Sequence, residues 1–290
     1  MIDPVVARKT WRTLEPVHGM VYFAEEALEH YEAAGLRGFR MGYFASRSAA
    51  FGAASAEVVI ATFYNFHPEL VRRSIPAAWT MSTPSRVLEA RLAVVDSALR
   101  RSWGDDIGSP EVIEAADLAR RAAEVACEHP EGRALFAAHA SLPWPDEPHL
   151  VLWHAQTLLR EHRGDAHIAA LLLEGLSGLD ALVSHAASGD VPEDVLRTTR
   201  AWSPEEWAAG VEAMRERGLV APGDGVEFTA AGAAMRQRIE DATDAGSVAA
   251  YDVLGDDGCA RLRELGRPLS LRIIEAGALR MDPSRYIDDR

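Results

Sequence analysis

The chain has 290 residues, 48% of them hydrophobic, and a formal net charge of −14. That length fills one large core or two ordinary ones, and two are expected. No run of about 18 apolar residues occurs and Met1-Ile2-Asp3-Pro4 opens no leader segment, so a cytoplasmic protein without membrane spans is expected, and its acidity opposes contact with nucleic acid or anionic lipid.

From 4 to 36, Val5, Val6, Trp11, Leu14, Val17, Val21, Leu28 and Tyr31 recur at helical spacing, with Asp3 as N-cap, Pro4 at N1 and Gly35 as a stop. Pro16 interrupts the run, so two helices are expected. Residues 45–66 lead from a small-residue tract around Arg47, Phe51 and Gly52 into an apolar stretch containing Val58, Ile60, Phe63 and Tyr64. Small side chains let another backbone or a flat ligand come close; the plainer expectation is a buried central helix ending at His67-Pro68. Helices are also expected at 68–76, 84–103 and 110–128, each opening at or near a proline behind a cap such as Thr83 or Ser109. Strand signals are scarce, so the first half reads as an all-α bundle.

Pro143, Pro145 and Pro148 crowd one short stretch and mark a boundary. The expected organisation is a helical domain over 1–145, a second domain over 146–246, and C-terminal helices over 247–290 that support a dimer. Within the second domain, helices are expected at 149–162, 166–174, 178–188 and 192–200. Another begins at Ser203-Pro204-Glu205-Glu206-Trp207, which supplies cap, N1 proline and acidic first turn. Residues 219–228, with Gly223-Asp224-Gly225 at the tip, read as a short β-hairpin before a polar helix at 229–244.

Met214-Arg215-Glu216-Arg217-Gly218-Leu219-Val220, followed by the hairpin and Phe228-Thr229-Ala230-Ala231-Gly232, resembles the MarR-like winged helix over roughly 165–246. The stretches 158–167 and 201–207 also resemble an actinobacterial family labelled helix-turn-helix. These resemblances imply a mainly all-α protein, an N-terminal helical domain fused to a degenerate winged helix, and transfer no catalytic residue. A winged-helix recognition helix offers Arg, Lys, Asn or Gln to DNA from its N-terminal half, whereas this one offers Glu205, Glu206 and Trp207. Residues 203–246 carry nine acids against four arginines, a net of −5, and the hairpin has Asp224 and Glu227 with no arginine. The charge balance therefore argues against DNA binding.

If 150–172 is one helix, a 100° step places His154, Glu161 and Asp165 on one stripe, as candidates for acid/base work. In the alternative, Gly164 ends a first helix and Asp165 caps the next. Tyr43, Arg47, Phe51, Phe63, Tyr64, Asn65, His67, Arg163 and His167 are candidate ligand-binding residues around an interdomain cavity. No metal site is indicated: His162 and His167 lie five apart, HExxH is lacking, and the two ExxH pairs of a di-iron bundle are not present. GxGxxG, P-loop and GxSxG motifs are lacking too. No particular cofactor is indicated, and haem ligation by one of the ten histidines stays open. The functional expectation is a homodimeric binder of a small organic ligand, with or without cofactor-independent turnover. The rival is a ligand-responsive MarR-like regulator using a basic patch assembled across the dimer from arginines such as Arg72, Arg73, Arg197 and Arg200, and a third reading is a partner-binding scaffold.

Overall fold

Helix starts follow the caps written into the sequence: Asp3, Ser55, Thr83, Ser109, Ser177, Ser203 and Thr229 each accept a first-turn N–H. The computed structural model describes residues 1–279. Its first half holds α1 (Pro4–Gly19), α2 (Ala27–Ala33), α3 (Gly38–Ser48), α4 (Ala56–Phe63), α5 (Pro68–Arg72), α6 (Ala78–Met81), α7 (Pro84–Trp103), α8 (Pro110–Cys127) and α9 (Ala134–Ala140). There follow α10 (Pro148–Leu173), α11 (Gly178–Ala187), α12 (Glu193–Arg200), α13 (Pro204–Glu216), α14 (Ala230–Ala245), α15 (Val248–Asp252) and α16 (Gly255–Glu275). The mainly-α expectation holds, and no described helix is long and apolar enough to cross a membrane alone.

α10 organises the rest. Its 26 residues span about 39 Å, and from His149 to Leu159 every side chain is buried, as expected of a helix with neighbours all round. α8 lies against it with Ala115, Ala116, Ala119, Ala122, Ala123 and Ala126 buried, small residues that permit close approach. α1 packs on both α10 and α16. There Leu14 comes so near Gly266 that a Cβ would sit 2.7 Å from it, while Ser270 donates to the Thr13 carbonyl at 2.7 Å. The first core takes in α1 to α9, the first half of α10, and α15 and α16. The second gathers Ala170, Leu171, Leu182, Trp207, Met214, Met235 and Ile239 from the end of α10 and α11 to α14.

Several expectations change. Residues 45–66 are not one central helix: α3 ends at Ser48, Gly52 turns the chain at φ 81°, and Ser55 starts α4. Residues 149–174 are not two helices, because Gly164 inside α10 keeps its place in the ladder and Asp165 caps α9 instead, accepting the Phe136 N–H at 3.0 Å. The hairpin at 219–228 is reduced to an isolated antiparallel bridge between Val220 and Phe228. The two clusters of buried apolar side chains part inside α10, and α15 and α16 pack on the first of them; the remainder of 247–290, beyond 279, lies outside the described residues.

The cores also meet through residues 64–67. Tyr64, at φ 60°, caps α4 and donates its hydroxyl to the Leu176 carbonyl. The backbone of Gly178 lies so close that a Cβ would stand 2.0 Å from the Tyr64 oxygen. Gly178→Ala is therefore expected to lower stability by about 2–3 kcal/mol. Gly210→Ala would meet only the flexible Leu179 side chain, at 2.7 Å, and should cost about 1 kcal/mol; urea unfolding of the two variants checks the order.

Candidate functional site

Glu161, on the inward stripe of α10, is 1% exposed. Arg160 holds its carboxylate at 2.9 and 3.0 Å, and Arg47 from α3 approaches to 3.7 Å. Burial alone would raise the pKa of Glu161, but the two guanidiniums overcome it and hold the group well below the usual carboxylate range. Arg47 in turn lies 4.4 Å over the Phe63 ring and donates to the Tyr43 hydroxyl at 3.2 Å. Arg160 reaches across to Glu15 of α1 at 3.8 Å. Glu15 and Arg160 are walled by protein yet keep 21% and 25% of their side chains accessible, and that surface borders a recess between α1, α3 and α10. Burial pushes the Glu15 carboxyl up to about 7, only partly offset by Arg160.

Deeper in the same core, the Thr157 hydroxyl gives its proton to the Trp153 carbonyl at 3.0 Å and so accepts from His18 Nδ1 at 2.9 Å. That assigns the tautomer: His18 Nε2 accepts from the Tyr22 hydroxyl at 2.9 Å. Burial, then the charge of Arg160, drives the pKa of His18 far down, so the ring is neutral. Arg91 of α7 reaches Tyr22 Oη at 3.4 Å and lies 5.3 Å from the ring centroids of both Tyr22 and Trp153. It is 1% exposed, with no hydrogen-bond partner for Nε or Nη1. Beside it, burial and the charge of Arg91 lower His139 to about 3 and His154 to about 4. Nε2 of each, and Nε1 of Trp153, are also buried without a partner.

The candidate residues fall into three groups. Tyr43, Arg47, Phe63 and Glu161 meet at the recess; His154 lies further along α10, 4.8 Å from the Trp144 ring. Tyr64, Asn65 and His67 form the latch between the cores, where Trp202 donates to the Asn65 carbonyl at 3.0 Å and His67 pairs with Glu206 at 3.0 Å. Arg163 pairs with Asp244 at 2.7 Å and His167 bonds Thr243 at 3.0 Å, so both tie α10 to α14. Asp165 serves α9, and Phe51 packs on the first core. Among the described residues no three His, Cys, Asp or Glu side chains converge as metal ligands.

α12 and α13 are joined by a three-residue turn whose first residue, Ala201, has φ 62°. The N-terminus of α13 packs on residues 65–67: besides the Trp202 and His67 contacts, the His67 N–H donates to the Arg200 carbonyl at 3.0 Å. A surface pocket of about 460 Å³ at this junction is lined by residues that include His67, Glu69, Arg73, Ala201, Ser203 and Glu206. Two arginines of the expected composite patch have partners within the chain. Arg72 pairs with Glu69 and Glu57, and Arg200 turns inward, 5.4 Å over Phe66. A family model described as a helix-turn-helix family matches residues 7–280. The chain belongs to the helix-turn-helix family. No functionally curated protein and no solved structure matches it. Membership in the helix-turn-helix family extends over both cores, so the recess belongs to the matched region along with α12 and α13.

Sequence reasoning did not reach Glu15, His18, Tyr22 and His139. One signal was legible: Glu15-Pro16-Val17-His18 is the single ExxH spacing in the chain. For His139 no local pattern exists, because the groups that act on it lie in other helices, whereas Tyr22 stands four residues after its partner His18.

The raised Glu15 pKa sets a sign for stability. The folded carboxyl keeps its proton to about 7, against 4.5 for the ordinary group, so ionisation opposes folding as pH rises from 4.5 through 7. Glu15→Gln removes that penalty. Its stability relative to the parent is expected to grow between pH 5 and 8 by on the order of 2 kcal/mol. Urea unfolding at pH 5, 6, 7 and 8 measures this, and a difference independent of pH would mean that Glu15 is ionised throughout.

Proposed function

We propose that the protein binds a small, partly apolar organic molecule in the recess between α1, α3 and α10. The observation that carries this reading is the surface that Arg47, Glu15 and Arg160 keep there, 11%, 21% and 25% of their side chains, beside aromatic rings in an otherwise buried core. The rings of Tyr43, Phe44, Phe63 and Phe66 form an aromatic wall, with neighbouring centroids 5.1–6.5 Å apart.

Roles follow from the charges. Glu161, held ionised by two arginines, acts as a fixed anion that positions Arg47 and Arg160. Glu15 is the carboxyl poised to exchange a proton near neutral pH and is the acid/base group of this reading. His154 is too strongly depressed for that task.

The α12–α13 pair, the Val220–Phe228 bridge and α14 support a degenerate, MarR-like winged helix used as a packing wall. The family match favours a second reading, a ligand-responsive regulator. Against it stand the acidic first turn of α13 and the docking of that turn on His67. Native mass spectrometry of protein purified gently from its own host tests the first reading: a retained molecule with near-stoichiometric occupancy is expected. Fluorescence anisotropy with genomic DNA fragments at low salt tests the second. No binding is expected, and a salt-sensitive, sequence-selective complex would replace the first reading by the second.

A further inference from the structure

The surface pocket between α5 and the turn into α13 is a second place with room for a molecule, and it shares no residue with the recess. Its volume of about 460 Å³ falls within the range of about 300–1,000 Å³ occupied by small-molecule sites. One wall comes from the segment that packs on the first core, through His67, Leu70 and Arg73, and the other from the start of α13, through Ala201, Ser203 and Glu206.

Charge in this pocket is divided. His67 Nδ1 accepts the Glu69 N–H at 3.2 Å, so the one proton of a neutral ring sits on Nε2 and is given to Glu206 at 3.0 Å. Glu206 spends its other oxygen on the Ser203 N–H at 2.9 Å, and no arginine or lysine pairs with it among the described residues. Glu69 has its counterion in Arg72, at 2.8 Å. Arg73 is exposed, and its guanidinium has no hydrogen bond or ion pair among the described residues. The Ser203 hydroxyl accepts the Glu206 N–H at 3.1 Å and keeps its own proton to donate. Leu70 and Ala201 supply the apolar part of the lining.

A lone anion drawn to Arg73 meets the carboxylates of Glu69 and Glu206, and a lone cation drawn to Glu206 meets Arg73. A molecule that carries both charges a few ångströms apart satisfies both walls at once.

We propose that the pocket binds a small zwitterion, an α-amino acid with an aliphatic side chain, whose carboxylate pairs with Arg73, whose ammonium pairs with Glu206, and whose side chain lies against Leu70 and Ala201. Its two walls are fixed by different cores, so the bound molecule ties α5 to the α12–α13 turn beside the His67–Glu206 contact.

The test is isothermal titration calorimetry of the full chain with L-valine and L-leucine, each beside the same skeleton without its ammonium or without its carboxylate. Saturable binding of at least one amino acid is expected, with both of its half-molecules bound about tenfold or more weakly. Arg73→Met should weaken the amino acid by a similar factor while melting with the parent, because the side chain it replaces is exposed and unpaired. Arg73→Lys should recover part of the affinity. An Arg73→Met variant that binds as the parent does, or that melts well below it, would overturn the assignment. A half-molecule that binds as tightly as its amino acid would overturn the zwitterion class, and no saturable heat with either amino acid would overturn the site.

Discussion

A helix buried on all sides from His149 to Leu159 sets the terms for everything else in this protein. α10 contributes its first half to one core and its last residues to the other, so both are built on one rigid rod. A stretch so enclosed cannot send polar side chains outward. His154, Gln156, Thr157, Glu161 and Arg163 must be handled inside, and each draws on residues from other helices or is left incomplete. The polar interior of the first core is the consequence of threading those residues through its centre.

That interior is not uniform. Around Glu161 opposite charges are matched, and the carboxylate is fixed in its ionised form by Arg160 and Arg47. Around His18, Tyr22 and Thr157 a chain of hydrogen bonds fixes one tautomer of a neutral ring. Around Arg91 neither device operates, and the faces of Tyr22 and Trp153 are its main neighbours.

Much of the fold was legible because its determinants are local. Proline at N1 behind a polar cap marks α1, α7, α8 and α13 correctly, and the bounds of α7 and α13 lie close to those expected. What escaped depends on distant partners. Gly164 reads as a helix stop, yet packing from both sides of α10 carries the helix through it. Residues 45–66 read as continuous because the break is a φ of 81° at Gly52, surrounded by helix-forming alanines. Tyr43, Arg47, Phe63 and Glu161, which aromatic content and helical phase single out, lie together in the first core. The segment 64–67 has the same composition as a binding wall, and only its tertiary contacts reveal it as a latch.

That latch has a mechanical meaning. The second core is attached to the first at several separated places: through the unbroken backbone of α10, through the contacts of Tyr64, Asn65 and His67 with Leu176, Trp202 and Glu206, and through Arg8 of α1 paired with Asp244 of α14 and Arg40 of α3 on the Thr199 carbonyl. One attachment would leave a swivel; several that do not lie on one line remove rotation. The helix pair α12–α13 is thereby held at a set angle to the recess, and a reorientation of that pair requires the 64–67 contacts to break as a group.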